Sequence, residues 1–267
     1  MPGYKTDPTI TNPSLAASDE FVVIDGVSMR YGDEVAVDNV SLSVERGAIF
    51  GFVGSDGAGK TTLLRMAAAM MRPTAGTIKI GGRDIMKNRA AIKSVIGYMP
   101  QRFGLYQDLT VRENIDFFMD IFGIFGRERK IRRERFLRFS NLIPFMNRLA
   151  GNLSGGMKQK LGLACVLVHQ PDLLILDEPT NGVDPVSRQE FWDILFQMKG
   201  QGMTIMISTA YLDEGEKCDC LALMHRSRLI ETGIPADIQS HFSDLEEAMI
   251  HRIQEYDKEL IHDKFQL

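Results

Sequence analysis

Gly54-Ser55-Asp56-Gly57-Ala58-Gly59-Lys60-Thr61 carries the pattern Gly, four residues, Gly, Lys, then Ser or Thr, and the reading of this stretch decides the fold. Before it, Ile49-Phe50-Gly51-Phe52-Val53 is a continuous apolar run of strand length. After it, Thr62-Leu63-Leu64-Arg65-Met66-Ala67-Ala68-Ala69-Met70 reads as a helix. That strand–loop–helix order separates a phosphate-binding loop from a glycine-rich turn that binds nothing. Glycines let backbone N–H groups turn inward around an anion, and the helix start adds unpaired donors and a positive dipole end. Lys60 is placed to reach terminal phosphates, and the Thr61 hydroxyl to sit on magnesium.

Working outward, 267 residues are enough to bury a substantial core, as one large domain or one domain with an inserted lobe. Apolar content of 44% and charged content of 25% are those of a globular protein. A net charge of -4 argues against a general nucleic-acid binder, so no nucleic-acid partner is expected. No apolar run has the length of a membrane span, and the N-terminus lacks a signal-peptide layout. The expectation is a cytoplasmic chain that meets a membrane through a partner. Cys165 falls in an apolar helical run. Cys218-Asp219-Cys220 with His225 nearby is open to a metal or a reduced-thiol reading, and its spacing matches no usual zinc pattern.

Residues 1–20, with Pro2, Pro8 and Pro13 among polar residues, read as a flexible tail. Strands are expected at residues 21–24, 27–31, 40–44 and 77–80, which makes the opening segment strand-rich. From about 88 to 170 the character turns helical. Thr110-Val111-Arg112-Glu113 is a capping box, and residues 127–138 form a basic run, either a solvated helix face or a nucleic-acid contact. Another helix follows Ser154-Gly155-Gly156. Beyond 170, buried strands at 173–176 and 204–208 flank a helix over 186–199, and 221–224 with 229–230 make a closing pair. Ser243-Asp244-Leu245-Glu246 reads as a second capping box, opening a helix whose stripe is Leu245, Met249, Ile253, Tyr256 and Leu260. Strands alternating with helices imply an α/β core interrupted by one helical lobe.

Asp177 and Glu178 stand at the carboxyl end of the 173–176 strand, the side of an open α/β sheet where ligands bind. Phosphoryl transfer needs one carboxylate for magnesium and a second group to orient or deprotonate water. Asp177 fits the first role and Glu178 the second.

Leu153-Ser154-Gly155-Gly156-Met157-Lys158-Gln159 adds a second anion-binding helix start, with a hydroxyl and N–H groups aimed outward. With it, the chain over roughly 21–238 resembles the ATP-binding cassette (ABC) family, the nucleotide-binding subunits of ABC transporters. The resemblance implies a P-loop NTPase-type core sheet with an N-terminal antiparallel β subdomain and an inserted α-helical subdomain. The cassette would span 21–240, its helical part about 88–160, and 241–267 would be a helical extension. It implies ATP and Mg2+ as ligands, held by Gly54, Ser55, Asp56, Gly57, Ala58, Gly59, Lys60, Thr61 and Thr62, with Thr61, Asp177 and Gln101 on the metal. Position by position, Tyr31 matches the aromatic that stacks on adenine, although alone it is equally a strand aromatic. Gln101 matches the glutamine linking the two lobes, and Glu178 the catalytic carboxylate. Ser154, Gly155 and Gly156 match the signature that closes over ATP on an opposing subunit. Asp184, in Gly182-Val183-Asp184-Pro185, matches the aspartate that crosses the dimer interface. Two departures stand out: Asp56 replaces the more usual Asn, and Ala210 stands where the family has its switch histidine.

The leading expectation is an ATPase subunit that drives an exporter, held to the cytoplasmic face of the inner membrane by an ABC-2-type permease and paired with a second cassette. Gly123-Ile124-Phe125-Gly126, the 245–249 segment and Tyr211-Leu212-Asp213-Glu214 carry the ABC-2 likeness. The Gly54-Ser55-Asp56-Gly57 loop with Ala210 also resembles the first half of tandem two-cassette exporter ATPases. Phe103, Leu105 and Tyr106, just past Gln101, are either a permease seat or lobe core. Ala210 implies slow turnover. The alternatives are a regulatory cassette that binds ATP with little hydrolysis, and a soluble cassette ATPase without a transporter.

Overall fold

In a parallel sheet both faces are covered, so its strands run apolar without alternation, and how the two faces are covered organises this protein. The computed structural model describes residues 20–264, so the expected tail lies outside the described residues apart from Glu20. The chain opens with a hairpin, β1 (Glu20–Tyr31) and β2 (Glu34–Glu45), and β3 (Ile49–Val53) then leads through the phosphate loop into α1 (Lys60–Ala67). β4 (Ala75–Ile80) and β5 (Arg83–Asp84) complete an antiparallel sheet of order β2-β1-β4-β5. Next come α2 (Arg89–Val95), β6 (Ile96–Met99), α3 (Val111–Ile121), α4 (Gly126–Phe139) and α5 (Gly155–Leu167). Then follow β7 (Leu173–Asp177), α6 (Pro185–Gly200), β8 (Thr204–Thr209), α7 (Leu212–Gly215), β9 (Cys220–His225) and β10 (Arg228–Gly233). α8 (Pro235–Ile238) and α9 (Leu245–Lys264) finish the chain. The second sheet has the order β10-β9-β3-β8-β7-β6, parallel from β9 to β6, with β10 antiparallel at its edge.

The two faces of that sheet belong to two cores. Phe50, Phe52, Leu173, Ile175, Met206, Ala222 and Met224 face α1 and the antiparallel sheet, meeting Leu63, Leu64, Met66, Val22 and Ile24. Ile49, Val53, Leu174, Leu176, Ile205 and Ile207 face the helices, meeting Leu161, Leu163, Trp192 and Leu195. Each fully buried side chain of this kind contributes about 2 kcal/mol, which clamps β3 and β7, the two strands that deliver the phosphate loop and the Asp177–Glu178 pair.

Several local expectations change in the structure. The strand β6 lies inside the stretch read as helical, because four residues are too few to declare a period. Gly97 permits it, since a Cβ there would stand 2.7 Å from Val166. The strands expected at 21–24 and 27–31 are one strand, β1, in which Gly26 at φ 58° carries a register shift rather than a break. The second capping box is displaced by one residue. The Asp244 carboxylate accepts from the Glu247 N–H at 2.8 Å, and Glu247, not Glu246, accepts from the Ser243 N–H at 2.8 Å.

Along α9, Leu245 and Met249 are buried together with Ala248, Ile253 and Tyr256 are half-buried, and the Leu260 side chain lies outside the described residues. The basic run over 127–138 is partly paired within the lobe. Arg129 and Arg133 pair with Asp116 of α3, while Arg132 and Arg138 pair along their own helix with Glu128 and Glu134. Cys218 is buried against the Gly51 backbone, Cys220 is half-buried, and the His225 ring faces Asp257 at 3.3 Å. No helix of the described residues is long and apolar enough to cross a membrane.

Candidate active site

Gly57 and Gly59 have φ of 77° and 100°, in the left-handed region that favours glycine, and Gly59 is the N-cap of α1. Gly54 has a second reason to lack a side chain, since a Cβ there would stand 2.1 Å from the Met224 carbonyl of β9. The loop therefore wraps back on itself ahead of the helix, and Lys60 closes it from inside. Its ammonium donates to the carbonyls of Gly54 at 2.6 Å and Ser55 at 3.0 Å and stands 3.9 Å from Glu178 Oε1. Burial lowers the Lys60 pKa from its usual 10.5, against the opposing pull of Glu178, Asp56 and Asp177.

β7 ends in Asp177, and β8 runs parallel to it with Ser208 in register beside that aspartate. Asp177 is fully buried. Its Oδ1 accepts from the Thr61 hydroxyl at 2.8 Å and the Ser208 hydroxyl at 2.9 Å, while Oδ2 has no protein partner. Glu178 follows at φ 48°, a backbone conformation uncommon for a residue with a side chain. Its N–H donates to both the carbonyl and the hydroxyl of Ser208, at 3.1 and 3.0 Å. That turn points Glu178 away from the buried carboxylate and toward Gln101, whose amide donates to Glu178 Oε2 at 2.7 Å. The Asn181 amide donates to the same oxygen at 3.1 Å.

These groups line one cleft of about 500 Å³. Tyr31, residues 56–62, Gln101 and Glu178 share its wall, with Asp177 beneath through Thr61. Tyr31 is about half exposed and donates only weakly, to the Met71 sulfur at 3.6 Å. The cleft also takes Glu34, Val35, Ala36 and Ser227, from the hairpin and the β9–β10 turn, which sequence reasoning missed because no local motif marks them. Ser208 and Asn181 were missed as well. Their relevance follows from strand register and loop curvature rather than from letters.

Ser154, Gly155, Gly156 and Asp184 do not line this cleft. The Ser154 hydroxyl oxygen caps α5 by accepting from the Met157 N–H at 3.3 Å, so it is engaged within its own helix rather than simply aimed outward. Asp184 is exposed and caps α6 by accepting from the Ser187 N–H at 2.9 Å, a bond that holds its carboxyl below the usual aspartate range. Ala210, at the end of β8, shares a small crevice with Glu178, Asn181 and Tyr211. Beyond Gln101, Phe103 is half-buried and stacked on Phe118 at 5.4 Å and Leu105 is buried, while Tyr106 is exposed and edge-on to Phe117 at 4.5 Å. That segment is core at its start and surface at Tyr106.

A phosphate loop between a buried strand and its helix, with a buried aspartate ending a strand two places along the same sheet, defines a nucleotide-binding domain of the α/β class. The ABC transporter family model matches residues 37–181, and the chain belongs to that family. It is 47% identical over 220 residues to the probable multidrug ABC transporter ATP-binding protein YbhF of Escherichia coli (strain K12). That match covers 82% of this chain and 38% of YbhF, so the chain spans well under half the length of that relative. It is 34% identical to the daunorubicin resistance ATP-binding protein DrrA3 of Streptomyces coeruleorubidus, covering 84% of this chain and 71% of DrrA3. It is 39% identical to the Nod factor export ATP-binding protein I of Burkholderia orbicola (strain AU 1054), covering 78% and 69%. Among solved structures, an ATP-binding subunit of an ABC transporter superposes with a TM-score of 0.78 at 27% identity, over 87% of this chain and 99% of that one. The fold is that of the ABC ATPases, an α/β core sheet carrying an antiparallel β sheet and a helical lobe.

Proposed function

We propose that this chain is the ATP-binding and ATP-hydrolysing subunit of an ABC-type exporter, working as a pair of cassettes on the cytoplasmic face of the plasma membrane beneath an ABC-2-type permease. In this reading residues 21–240 form the cassette, 88–160 its inserted helical part and 241–267 a helical extension. The observation that carries it is Asp177, buried, tied through Oδ1 to Thr61 of the phosphate loop, and with no hydrogen-bond partner on Oδ2. A buried carboxylate oxygen without a partner is costly unless a cation meets it, so the donor set fits Mg2+. Thr61, Asp177 and Gln101 would hold that ion, which when bound neutralises charge on the phosphate oxygens.

The chain's own residues supply the rest. Lys60 and the N–H groups of 54–62 bind the phosphates, and Tyr31 is at the cleft wall to stack on the base. Glu178 is oriented to accept the proton of the attacking water. The Ser154-Gly155-Gly156 signature and Asp184, both outside this cleft, serve the site of the second cassette. The relatives are named for a multidrug transporter, daunorubicin resistance and Nod factor export, which supports an exporter over a soluble cassette.

Ala210 sets the rate. A methyl group neither donates nor accepts a hydrogen bond, so one transition-state contact is missing beside Glu178. Such a contact is worth on the order of 3 kcal/mol, or roughly a hundredfold in rate. The same residue favours a second reading, a regulatory cassette that binds ATP and scarcely turns it over. Single-turnover hydrolysis by the purified chain separates them. Slow turnover that is abolished by Glu178→Gln and accelerated about a hundredfold by Ala210→His supports the ATPase reading. Bound ATP that stays intact even with Ala210→His supports the regulatory one, and fast turnover indifferent to the histidine refutes the role given to Ala210.

A further inference from the structure

We propose that Asn181 is a positioning residue for the Glu178 carboxylate, and that it supplies part of the orientation the missing switch histidine leaves open. The inference rests on the reading of Glu178 as the proton acceptor for the attacking water.

The geometry begins with a division of labour between the two carboxylate oxygens. Oε2 receives two amide donors, Gln101 at 2.7 Å and Asn181 at 3.1 Å, while Oε1 faces Lys60 at 3.9 Å. With Oε2 clamped, Oε1 is the oxygen presented toward the phosphate loop. The two clamps are not equivalent. Gln101 follows β6 at the lobe junction, on a different segment from Glu178, and is also the residue assigned to the metal. If it turns to the metal, its hydrogen bond to Glu178 is given up. Asn181 lies three residues along the same loop, where its own N–H donates to the Glu178 carbonyl at 3.3 Å, so its amide moves with the carboxylate. It is the donor that stays.

Its place in the crevice makes the link to Ala210. Asn181, Glu178 and Ala210 line the same small space, together with Tyr211, whose ring is engaged by the Arg188 guanidinium at 4.1 Å. Where Ala210 offers a methyl group, the Asn181 amide is the polar side chain from the same crevice that reaches Glu178. A group that orients the carboxylate from this side restricts its rotation and lowers the cost of aligning it with water and phosphate.

The test uses the purified full chain and measures kcat and KM for ATP, nucleotide affinity and melting temperature. Asn181→Ala removes the donor. Asn181→Asp keeps the shape and replaces the donor with a second negative charge. The expected result is a kcat lower by about tenfold in Asn181→Ala, the worth of one hydrogen bond to a charged group, and a larger fall in Asn181→Asp. KM, nucleotide affinity and melting temperature should remain unchanged in Asn181→Ala. In the Ala210→His background, Asn181→Ala should cost less than about twofold, because the histidine restores the missing contact and the two effects are then not additive. An unchanged kcat in Asn181→Ala, or a loss matched by a fall in melting temperature and affinity, overturns the proposal. An undiminished loss beside Ala210→His overturns the compensation. Glu178→Gln run alongside keeps the two levels apart. If it leaves turnover intact, the reading of the site fails; if it abolishes turnover while Asn181→Ala is silent, only the role of Asn181 fails.

Discussion

Ser208→Ala is the sharpest test of how the Asp177–Glu178 pair is held, because one hydroxyl serves both residues, the carboxylate of the first and the backbone N–H of the second. Ser208 Oγ donates to Asp177 Oδ1 at 2.9 Å and accepts from the Glu178 N–H at 3.0 Å, and both Ser208 and Asp177 are fully buried. Removing it leaves Thr61 as the protein donor on a buried carboxylate whose Oδ2 is already without one. A hydrogen bond to a charged group contributes about 1.5–3 kcal/mol. The Glu178 N–H still reaches the Ser208 carbonyl at 3.1 Å, so the second loss is small, about 0.5 kcal/mol. Together these give a destabilisation of about 2–3.5 kcal/mol, which for a chain of this size lowers the melting temperature by about 8 °C. Thr61→Val strips the other donor from the same oxygen. The double variant should therefore lose more than the sum of the singles, with a coupling of about 1 kcal/mol or more. Thermal and urea unfolding of the four proteins in nucleotide-free buffer measure this cycle. A Ser208→Ala melting temperature within 1 °C of the parent, or strict additivity with Thr61→Val, would refute the claim that this hydroxyl anchors the pair.

Lys60→Met should abolish the rise in melting temperature that Mg-ATP confers. Burial depresses the amine's pKa in the folded state, so the penalty for burying its charge is fully present below that folded value and gone above the usual 10.5. The stability of the parent chain should therefore rise as the pH passes from that folded value toward 10.5, and Lys60→Met should lack this rise, which a pH series of melting curves checks. Arg188→Leu removes the cation 3.2 Å from fully buried Glu214 and should cost about 3 kcal/mol in urea unfolding. Glu214→Gln should cost less, because Thr180 and Thr209 can both still donate to the oxygen at the Oε2 position. Tyr106→Glu places a charge on the exposed end of the segment after Gln101. It should reduce co-purification with the proposed permease and leave ATP affinity unchanged, whereas a collapse of the fold would mark Tyr106 as core.

How much of this was legible depended on whether a residue's role was local. Gly57 and Gly59 announce themselves, because a left-handed backbone before a helix asks for glycine in those places whatever surrounds them. Asp177 and Glu178 are legible for a similar reason, since an uninterrupted apolar strand that ends in two carboxylates aims them at the edge of the sheet. Ser208 is a polar residue closing another apolar run, and it gains meaning only from the parallel register that sets it beside Asp177. Strand β6 was hidden by its length, and the α9 cap by the presence of two caps and two glutamates in a row, between which the letters do not choose.

The signature and Asp184 are a mixed case. Their letters stand out as motifs in the sequence, but their relation to each other passes through Ser187, which no motif includes. A Cβ on Gly156 would stand 2.3 Å from Ser187, and the Ser187 N–H is the group that Asp184 caps. The first turns of α5 and α6 are thereby packed against each other through a single small residue. In the proposed pair of cassettes these two motifs would reach the second subunit as one preformed surface, with their relative placement set before a second cassette docks.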